Sequence, residues 1–278
     1  MSLGPDSSLA GPPATASILV GTSGYSYKDW VGPFYPNGTR QDGMLGLYAQ
    51  RFPAVELNFS YYAIPKPETL ARMAECVPPE FRFTLKLHKA LTHQRQDARE
   101  AVGPFREAMR PLAESGKLAC LLAQFPYSFA GSKPNCHFLT WLAEELAGPR
   151  LVVEFRHASW DKAEVGPWLA RHGIGVASVD APALEGLPDS VARLADPAIA
   201  YVRFHGRNRE SWWEHEQAYQ RYQYDYSEAE LAEWTPRVAE LASKAAVVYV
   251  FFNNHFGGSS AANAQLFRGM LRQAGLLA

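Results

Sequence analysis

The chain has 278 residues, of which 47% are hydrophobic, and a formal net charge of −1 at pH 7. This length allows one large α/β barrel or two mid-sized domains, and the near-zero charge does not favour nucleic acid or an anionic membrane as a partner. No apolar run is long enough for a membrane span. The three cysteines show no CxxC spacing, which favours reduced thiols and a cytoplasmic location.

Residues 1–16 are rich in Gly, Pro, Ser and Ala, so we expect a flexible tail before a single domain at 17–278. Apolar runs then predict strands at 18–23, 54–58, 81–87, 118–124, 151–156, 174–180, 198–204 and 246–252. Helical patterns occupy most of the intervals, at 44–51, 67–77, 97–114, 136–146, 162–171, 227–244 and 261–273. Pro104 and Pro111 are expected to bend or break the helix that contains them, and Ser227 with Glu230 predicts a capping box.

Eight strands that alternate with helices or loops, in a chain of this length, predict a single (β/α)8 TIM-like barrel with parallel strands. The structural alternative is a doubly wound open sheet. No GxGxxG or Walker loop follows any predicted strand, so we favour the barrel.

Most predicted strands are apolar until their carboxyl ends, where polar side chains follow. These residues are Thr22, Ser23, Glu56, Asn58, Lys86, Gln124, Glu154, Arg156, Asp180, Arg203, His205, Asn253 and Asn254. In a parallel barrel all these ends share one rim, so residues remote in sequence converge on one mouth. The sequence therefore predicts a site at the C-terminal mouth of the barrel.

Glu154 and Glu56 are candidates for general acid and base at this mouth, and His205 is a candidate to assist proton transfer. The alternative is that Glu154 pairs with Arg156 in a structural network, since buried charges require partners. If the carboxylates are catalytic, we expect Glu154→Gln or Arg203→Ala to abolish activity and leave the fold intact.

Lys86, Arg156 and Arg203 together predict a cationic pocket that binds a small anionic substrate, such as a phosphate or carboxylate. His93 and His157 follow strand ends and are further candidates for substrate contacts. Tyr25, in an aromatic loop after the first strand, could stack on a sugar or a base.

Two alternatives remain open, and no cofactor is identified. A divalent metal could bind among Glu56, Glu154, Asp180 and His205, as in a metal-dependent phosphoesterase, although no HxH or HExxH pair is present. The same cations and aromatics could also serve a non-catalytic binder of a metabolite or a nucleic-acid end. The oligomeric state stays undetermined.

Several motifs resemble the DUF72 (YecE-like) family, in the same order along the chain from about Gly21 to the last helix. They are GTSGYSYKDWVGPFYP, VELNFSYY, FTLKLHKALTH, LLAQFPYSF, VVEFRHASW, YVRFHG, YDYSEAEL and YVFFNNHFGGSSAANA. The resemblance implies a TIM-like barrel with a site built from these motifs. It implies no particular reaction, because the function of this family is not established.

Overall fold

The eight predicted strands form a closed parallel barrel in the computed structural model, which describes residues 16–217 and 219–277. The strands are β1 (Ser17–Ser23), β2 (Ala54–Leu57), β3 (Arg82–Lys86), β4 (Leu118–Gln124), β5 (Arg150–Glu154), β6 (Ile174–Asp180), β7 (Ala200–Phe204) and β8 (Val247–Phe252). The helices are α1 (Met44–Ala49), α2 (Pro67–Glu75), α3 (Ala98–Glu114), α4 (Lys133–Glu145), α5 (Val165–Arg171), α6 (Glu228–Ala232), α7 (Thr235–Ala242) and α8 (Ser259–Gln273). The predicted (β/α)8 fold is confirmed. Apart from Ala16, the predicted tail lies outside the described residues.

Each strand pairs with its neighbour in sequence, and β8 returns to pair with β1 from Ser17↔Val247 to Thr22↔Phe252. Because all the pairs are parallel, the carboxyl ends of the eight strands meet at one end of the barrel. The predicted common mouth therefore exists.

Strand side chains alternate between the barrel interior and the surrounding helices. The lower interior is filled by a separate apolar cluster that includes Cys120, Leu122, Val152, Tyr201 and Phe251. Cys120 is fully buried, and Cys76, Cys120 and Cys136 all carry free thiols. The interior is thus a packed core, and open space is left only above it.

Two helix predictions need correction. The predicted helix at 227–244 is two helices, α6 and α7, and Pro236 lies in the first turn of α7, where its missing N–H costs no helical hydrogen bond. The capping box is confirmed, since the Ser227 N–H donates to Glu230 Oε2 at 2.9 Å and Ser227 Oγ accepts from the Glu230 N–H.

Helix α3 runs unbroken through Pro104 and Pro111. Its buried face, which includes Phe105 and Leu112, packs in the main core, and such packing can outweigh the loss of two backbone hydrogen bonds. The expectation was that these prolines bend or break the helix, and a break is contradicted by the continuous helix.

Candidate active site at the barrel mouth

A cavity of about 760 Å³ opens at the carboxyl ends of the strands. It is lined by Gly24, Tyr25, Ser26, Tyr27, Gln41, Leu57, Asn58, Phe59, Tyr61, Tyr62, Lys86, His93, Gln124, Arg221, Tyr222, Asn253 and His255. Lys86 and Arg221 are its lysine and arginine, and no aspartate or glutamate is among these lining residues. The cavity therefore presents cations, amides and aromatic rings to whatever enters it.

Arg203 on β7 joins the two predicted catalytic carboxylates into one ionic layer at the strand ends. Its Nε and Nη2 donate to Glu56 at 2.9 and 2.5 Å, and its Nη1 donates to Glu154 Oε2. All three side chains are almost completely shielded from solvent. The predicted acid and base therefore share one guanidinium, and neither lines the cavity.

Arg156 and His205 complete this layer. Arg156 Nε donates to Glu154 Oε1 at 2.5 Å, and its Nη2 lies 2.9 Å from His205 Nε2. The other ring nitrogen of His205 lies 3.0 Å from Asn253 Nδ2, and Asn253 reaches the cavity. The ion pair between Arg156 and Glu154 that the sequence offered as an alternative is thus present. We call Glu56, Glu154, Arg156, Arg203 and His205 the ionic layer.

Burial and charge set the protonation states in the ionic layer. Burial alone would raise the pKa of Glu154, but Arg156 and Arg203 outweigh it and hold that pKa well below its ordinary value. Burial, reinforced by Arg156, lowers the pKa of His205 well below its ordinary value. At neutral pH the layer thus contains an ionised Glu154, two guanidinium cations and a neutral imidazole.

Tyr201 lies two residues before Arg203 on β7 and therefore on the same face of the strand. It contacts the ionic layer from the side of the apolar barrel interior. Its hydroxyl donates to Glu56 Oε2 at 2.7 Å and lies 2.8 Å from Thr84 Oγ1. Glu56 consequently accepts three hydrogen bonds from fully buried neighbours, which fixes its position in the barrel.

Lys86, at the end of β3, projects from the strand ends into the cavity and has a different environment from the buried cations. Its Nζ donates to Gln124 Oε1 at 2.6 Å and lies 4.6 Å from the centre of the Tyr61 ring. Burial and the positive charge of Arg203 together lower the pKa of Lys86 to about 7. Lys86 therefore exchanges between ammonium and neutral amine near neutral pH.

His93 enters the cavity from a short π-helical segment, Ala90–Gln94, that follows β3. Its Nδ1 lies 2.9 Å from Thr92 Oγ1, and its ring packs edge-on against Tyr61. Burial, together with the charge of Lys86, lowers the pKa of His93 to about 4. The imidazole is accordingly neutral at physiological pH and can accept a hydrogen bond.

The predicted substrate-binding residues differ in whether they reach the cavity. Those that line the cavity are Tyr25, Asn58, Lys86, His93, Gln124 and Asn253. Arg156 and Arg203 lie in the ionic layer, and Ser23 is buried at the end of β1, with no hydrogen-bond partner for its Oγ among the described residues. The others, Thr22, His157, Asp180 and Asn254, do not line the cavity.

Asp180 shows most clearly why a polar residue at a strand end can lie outside the cavity. Its carboxylate accepts hydrogen bonds from Tyr226 Oη at 2.6 Å, Trp234 Nε1 at 2.7 Å and Arg207 Nη2 at 2.8 Å. These contacts join β6 to the segment around α6 and α7. Asp180 therefore faces the helices and not the barrel interior.

Thr22, His157 and Asn254 also make contacts on the helix side or in loops. The hydroxyl of Thr22 lies 2.9 Å from Tyr48 Oη of α1, and Asn254 Nδ2 donates to Asn263 Oδ1 of α8 at 2.7 Å. His157 Nδ1 accepts from the Ser159 N–H at 3.1 Å. Their positions fit roles in holding loops and helices against the strands.

Sequence reasoning did not select Arg221 and Tyr222, which reach the cavity from the long connection after β7. Arg221 Nε donates to the Trp212 carbonyl at 2.8 Å, and its guanidinium packs over the Trp212 ring. The prediction of site residues used polar residues at strand ends. No strand ends directly before Arg221 or Tyr222, so that prediction could not include them. Tyr61 and Tyr62 were also missed, although they lie within the motif VELNFSYY.

Among the residues that the structure describes, no group of three or more His, Cys, Asp or Glu side chains is placed to hold a metal ion. The carboxylates of the ionic layer instead accept hydrogen bonds from Arg156 and Arg203.

Across the described part of the chain, no helix combines the length and the apolar character needed to cross a bilayer.

A family model described as "Protein of unknown function DUF72" matches residues 19–277. The chain belongs to the DUF72 family. The UPF0759 protein YunF of Bacillus subtilis is 31% identical over 263 residues, which cover 89% of this chain and 92% of that protein. The UPF0759 protein YecE of Escherichia coli K12 is 30% identical over 189 residues, or 66% of this chain and 64% of that one.

Crystal structures of DUF72 family proteins share the barrel. One from Thermotoga maritima MSB8 is 40% identical, with a TM-score of 0.85 over 92% of this chain and 99% of that chain. One from Enterococcus faecalis V583 is 28% identical, with a TM-score of 0.83 over 92% and 95% of the two chains. The names of these relatives state no activity, so a function must be argued from the site.

Proposed function

We propose that this DUF72 protein is an enzyme that acts on a small anionic substrate, phosphorylated or sugar-like, in the mouth cavity. The observation that carries the proposal is the charge of the cavity wall, which contains Lys86 and Arg221 but no carboxylate. Neither of these cations makes an ion pair with any residue that the structure describes. An anionic group would supply the missing countercharge, and guanidinium and ammonium groups both bind phosphate.

The remainder of the wall fits a polyhydroxylated substrate. Tyrosine rings, among them Tyr25, Tyr61 and Tyr222, offer flat apolar faces beside hydroxyl groups. The Oδ1 atom of Asn58 is buried without a hydrogen-bond partner among the described residues. A substrate hydroxyl could donate to this oxygen, since buried acceptors are normally satisfied.

The acid/base chemistry of the proposed enzyme centres on Lys86. The carboxylates of Glu56 and Glu154 are engaged within the ionic layer, and His205 is fully buried there. Lys86 is the residue that combines access to the cavity with a pKa of about 7, and a catalytic group works best when its pKa lies near the working pH. The ionic layer would act by positioning Lys86 and setting its charge, in hydrolase or isomerase-like chemistry.

Calorimetric titration with ribose 5-phosphate and with unphosphorylated ribose tests the binding step. We expect the parent protein to bind the phosphorylated sugar at least tenfold more tightly, and Lys86→Met and Arg221→Met each to reduce that affinity by tenfold or more. Arg110→Met on the surface of α3 is the matched control and should bind like the parent. Equal affinities for both sugars, or unchanged affinity in both cavity variants, would overturn the proposal.

Turnover is tested by NMR, with a panel of sugar phosphates incubated with the parent protein and with Lys86→Met. Conversion of at least one compound by the parent, and its loss in the variant, is the expected result. Tight binding without conversion of any compound would favour a non-catalytic binder.

A second candidate function, binding of a nucleic-acid end, is favoured by exposed aromatic rings in the loops that follow the strands. These rings are Phe59, Tyr62, Tyr127, Trp213, Tyr219 and Phe256. Bases can stack on such rings while a terminal phosphate enters the cavity. A 5′-phosphorylated oligothymidylate of eight nucleotides would then bind with an affinity that falls steeply with salt, whereas a site for small substrates should bind the oligomer no better than ribose 5-phosphate.

A further inference from the structure

The amine of Lys86 lies at the floor of the mouth cavity, where the carboxyl ends of the strands meet. It extends from the carboxyl end of β3, where pairing of Lys86 with Leu122 of β4 fixes the backbone. Its contacts are a neutral amide oxygen, Gln124 Oε1, and the face of the Tyr61 ring. No carboxylate among the described residues holds this amine as an ammonium ion through a direct ion pair.

The surroundings lower the pKa of this amine to about 7, so the neutral amine is present beside the ammonium ion at neutral pH. Burial removes water that would stabilise an ammonium ion, and the guanidiniums of Arg203 and Arg156 in the ionic layer also disfavour it; these effects outweigh the opposite influence of the carboxylates in that layer. Proteins use lysine as a nucleophile towards carbonyl groups when its amine lies beside other cations or is withdrawn from water.

We propose that Lys86 forms a covalent imine with the aldehyde or ketone group of a substrate whose anionic group lies in the same cavity. This inference rests on the proposed function and narrows the substrate class to phosphorylated carbonyl compounds, which include sugars in their open-chain form. It also gives Lys86 a role beyond binding an anion.

The reaction is a condensation without any redox change. The lone pair of Lys86 Nζ attacks the carbonyl carbon, the π bond of the carbonyl opens towards oxygen, and one proton moves from nitrogen to that oxygen to give a carbinolamine. Loss of a second proton from nitrogen and departure of the oxygen as water then leave the C=N bond. Hydrolysis by water reverses these steps and returns the free amine.

His93 offers a neutral imidazole close to these reaction steps. It lines the same cavity, and its ring packs against Tyr61, the residue whose ring Lys86 also contacts. Because its imidazole is neutral at physiological pH, it can accept a hydrogen bond from the carbinolamine hydroxyl or from a water molecule that carries the protons.

Reductive trapping tests the proposal in the full-length protein. Glycolaldehyde phosphate and sodium cyanoborohydride are added at pH 7, and peptide mass mapping measures the secondary amine formed at each lysine. We expect Lys86 to be modified at least tenfold faster than Lys244, whose amine is exposed and pairs with Glu240 on the surface. The rate at Lys86 should fall at pH 5, where the amine is protonated.

Two controls separate the possible causes of failure. Lys86→Arg keeps the positive charge but cannot form an imine, so it should bind ribose 5-phosphate and show no accelerated trapping at any lysine. Unphosphorylated glycolaldehyde should react at Lys86 at least tenfold more slowly than its phosphate. Trapping at Lys86 no faster than at Lys244 overturns the imine proposal. If the parent protein still converts a sugar phosphate in the NMR assay, the proposed function survives that failure.

Discussion

The ionic layer and the cavity floor above it are both built at the carboxyl ends of the strands, but they differ in how their polar groups are paired. In the layer, the carboxylates of Glu56 and Glu154 accept hydrogen bonds from arginines that are themselves buried. On the floor, Lys86 has a neutral amide as its hydrogen-bond partner, and Asn58 Oδ1 has no partner among the described residues. Groups that need partners and lack them are the ones that a ligand can satisfy.

The sequence predicted one site at the barrel mouth that contains all these residues. The difference in pairing indicates two roles within it, a structural one for the ionic layer and a chemical one for the cavity floor. A buried ionic network is costly to disturb, because removal of one partner leaves an uncompensated charge. The layer is therefore suited to hold the strand ends in place and to shape the electrostatics above it. The cavity floor is suited to chemistry, because its polar groups can exchange hydrogen-bond partners at a smaller cost in free energy.

Removal of Arg203 should have the largest effect on stability. Arg203→Met leaves Glu56 and Glu154 without the guanidinium that both contact, so we expect the free energy of unfolding to fall by about 3–5 kcal/mol. Urea denaturation followed by circular dichroism measures this loss. Arg110→Met, which removes an exposed ion pair on α3, is the control and should leave the midpoint unchanged.

This result would also revise the expectation that Arg203→Ala abolishes activity with the fold intact. If Arg203→Met has the stability of the parent but no activity, the layer is a catalytic device and the division between layer and floor is wrong.

A smaller loss is expected from Tyr201→Phe. The substitution removes a hydrogen bond of 2.7 Å to the buried carboxylate of Glu56, and hydrogen bonds to charged groups contribute about 1.5–3 kcal/mol. The matched control is Tyr62→Phe at the exposed rim, which should unfold at the same urea concentration as the parent. If both variants unfold with the parent, the hydroxyl of Tyr201 does not stabilise the layer.

The smallest effect should have the opposite sign. Lys86 has a lowered pKa in the folded protein, so the unfolded chain binds more protons than the folded one between about pH 7 and 10.5. The cost to stability is complete below pH 7 and disappears as the pH rises to 10.5. Lys86→Met should therefore stabilise the protein at pH 7, by about 1 kcal/mol after allowance for partial exposure.

Urea midpoints at pH 7 and pH 10 check this prediction, because the gain should shrink at the higher pH. Lys244→Met removes an exposed ion pair on the helical surface and should show no comparable gain. A Lys86→Met variant that is less stable than the parent at pH 7 would place Lys86 in the layer and not on the floor.

Much of the fold and the location of the site follow from short-range patterns. Apolar runs of strand length predicted all eight strands, and polar residues at their ends predicted the mouth. The rule failed at Asp180, which ends β6 as Glu154 ends β5 but faces α6 and α7. Alternation along a strand tells which residues share a face, but it does not tell which face is the interior.

By itself, the sequence determined that the chain forms a parallel barrel, where its mouth lies and several of the side chains that line it, because periodicity and strand-end composition are local properties. Only the tertiary structure decided which of those side chains satisfy each other. The pairing of Arg203 with Glu56 spans 147 positions, and Arg221 reaches the cavity from a loop without strand periodicity. Such contacts depend on closure of the barrel, which brings distant strand ends to one place and leaves Lys86 facing the cavity.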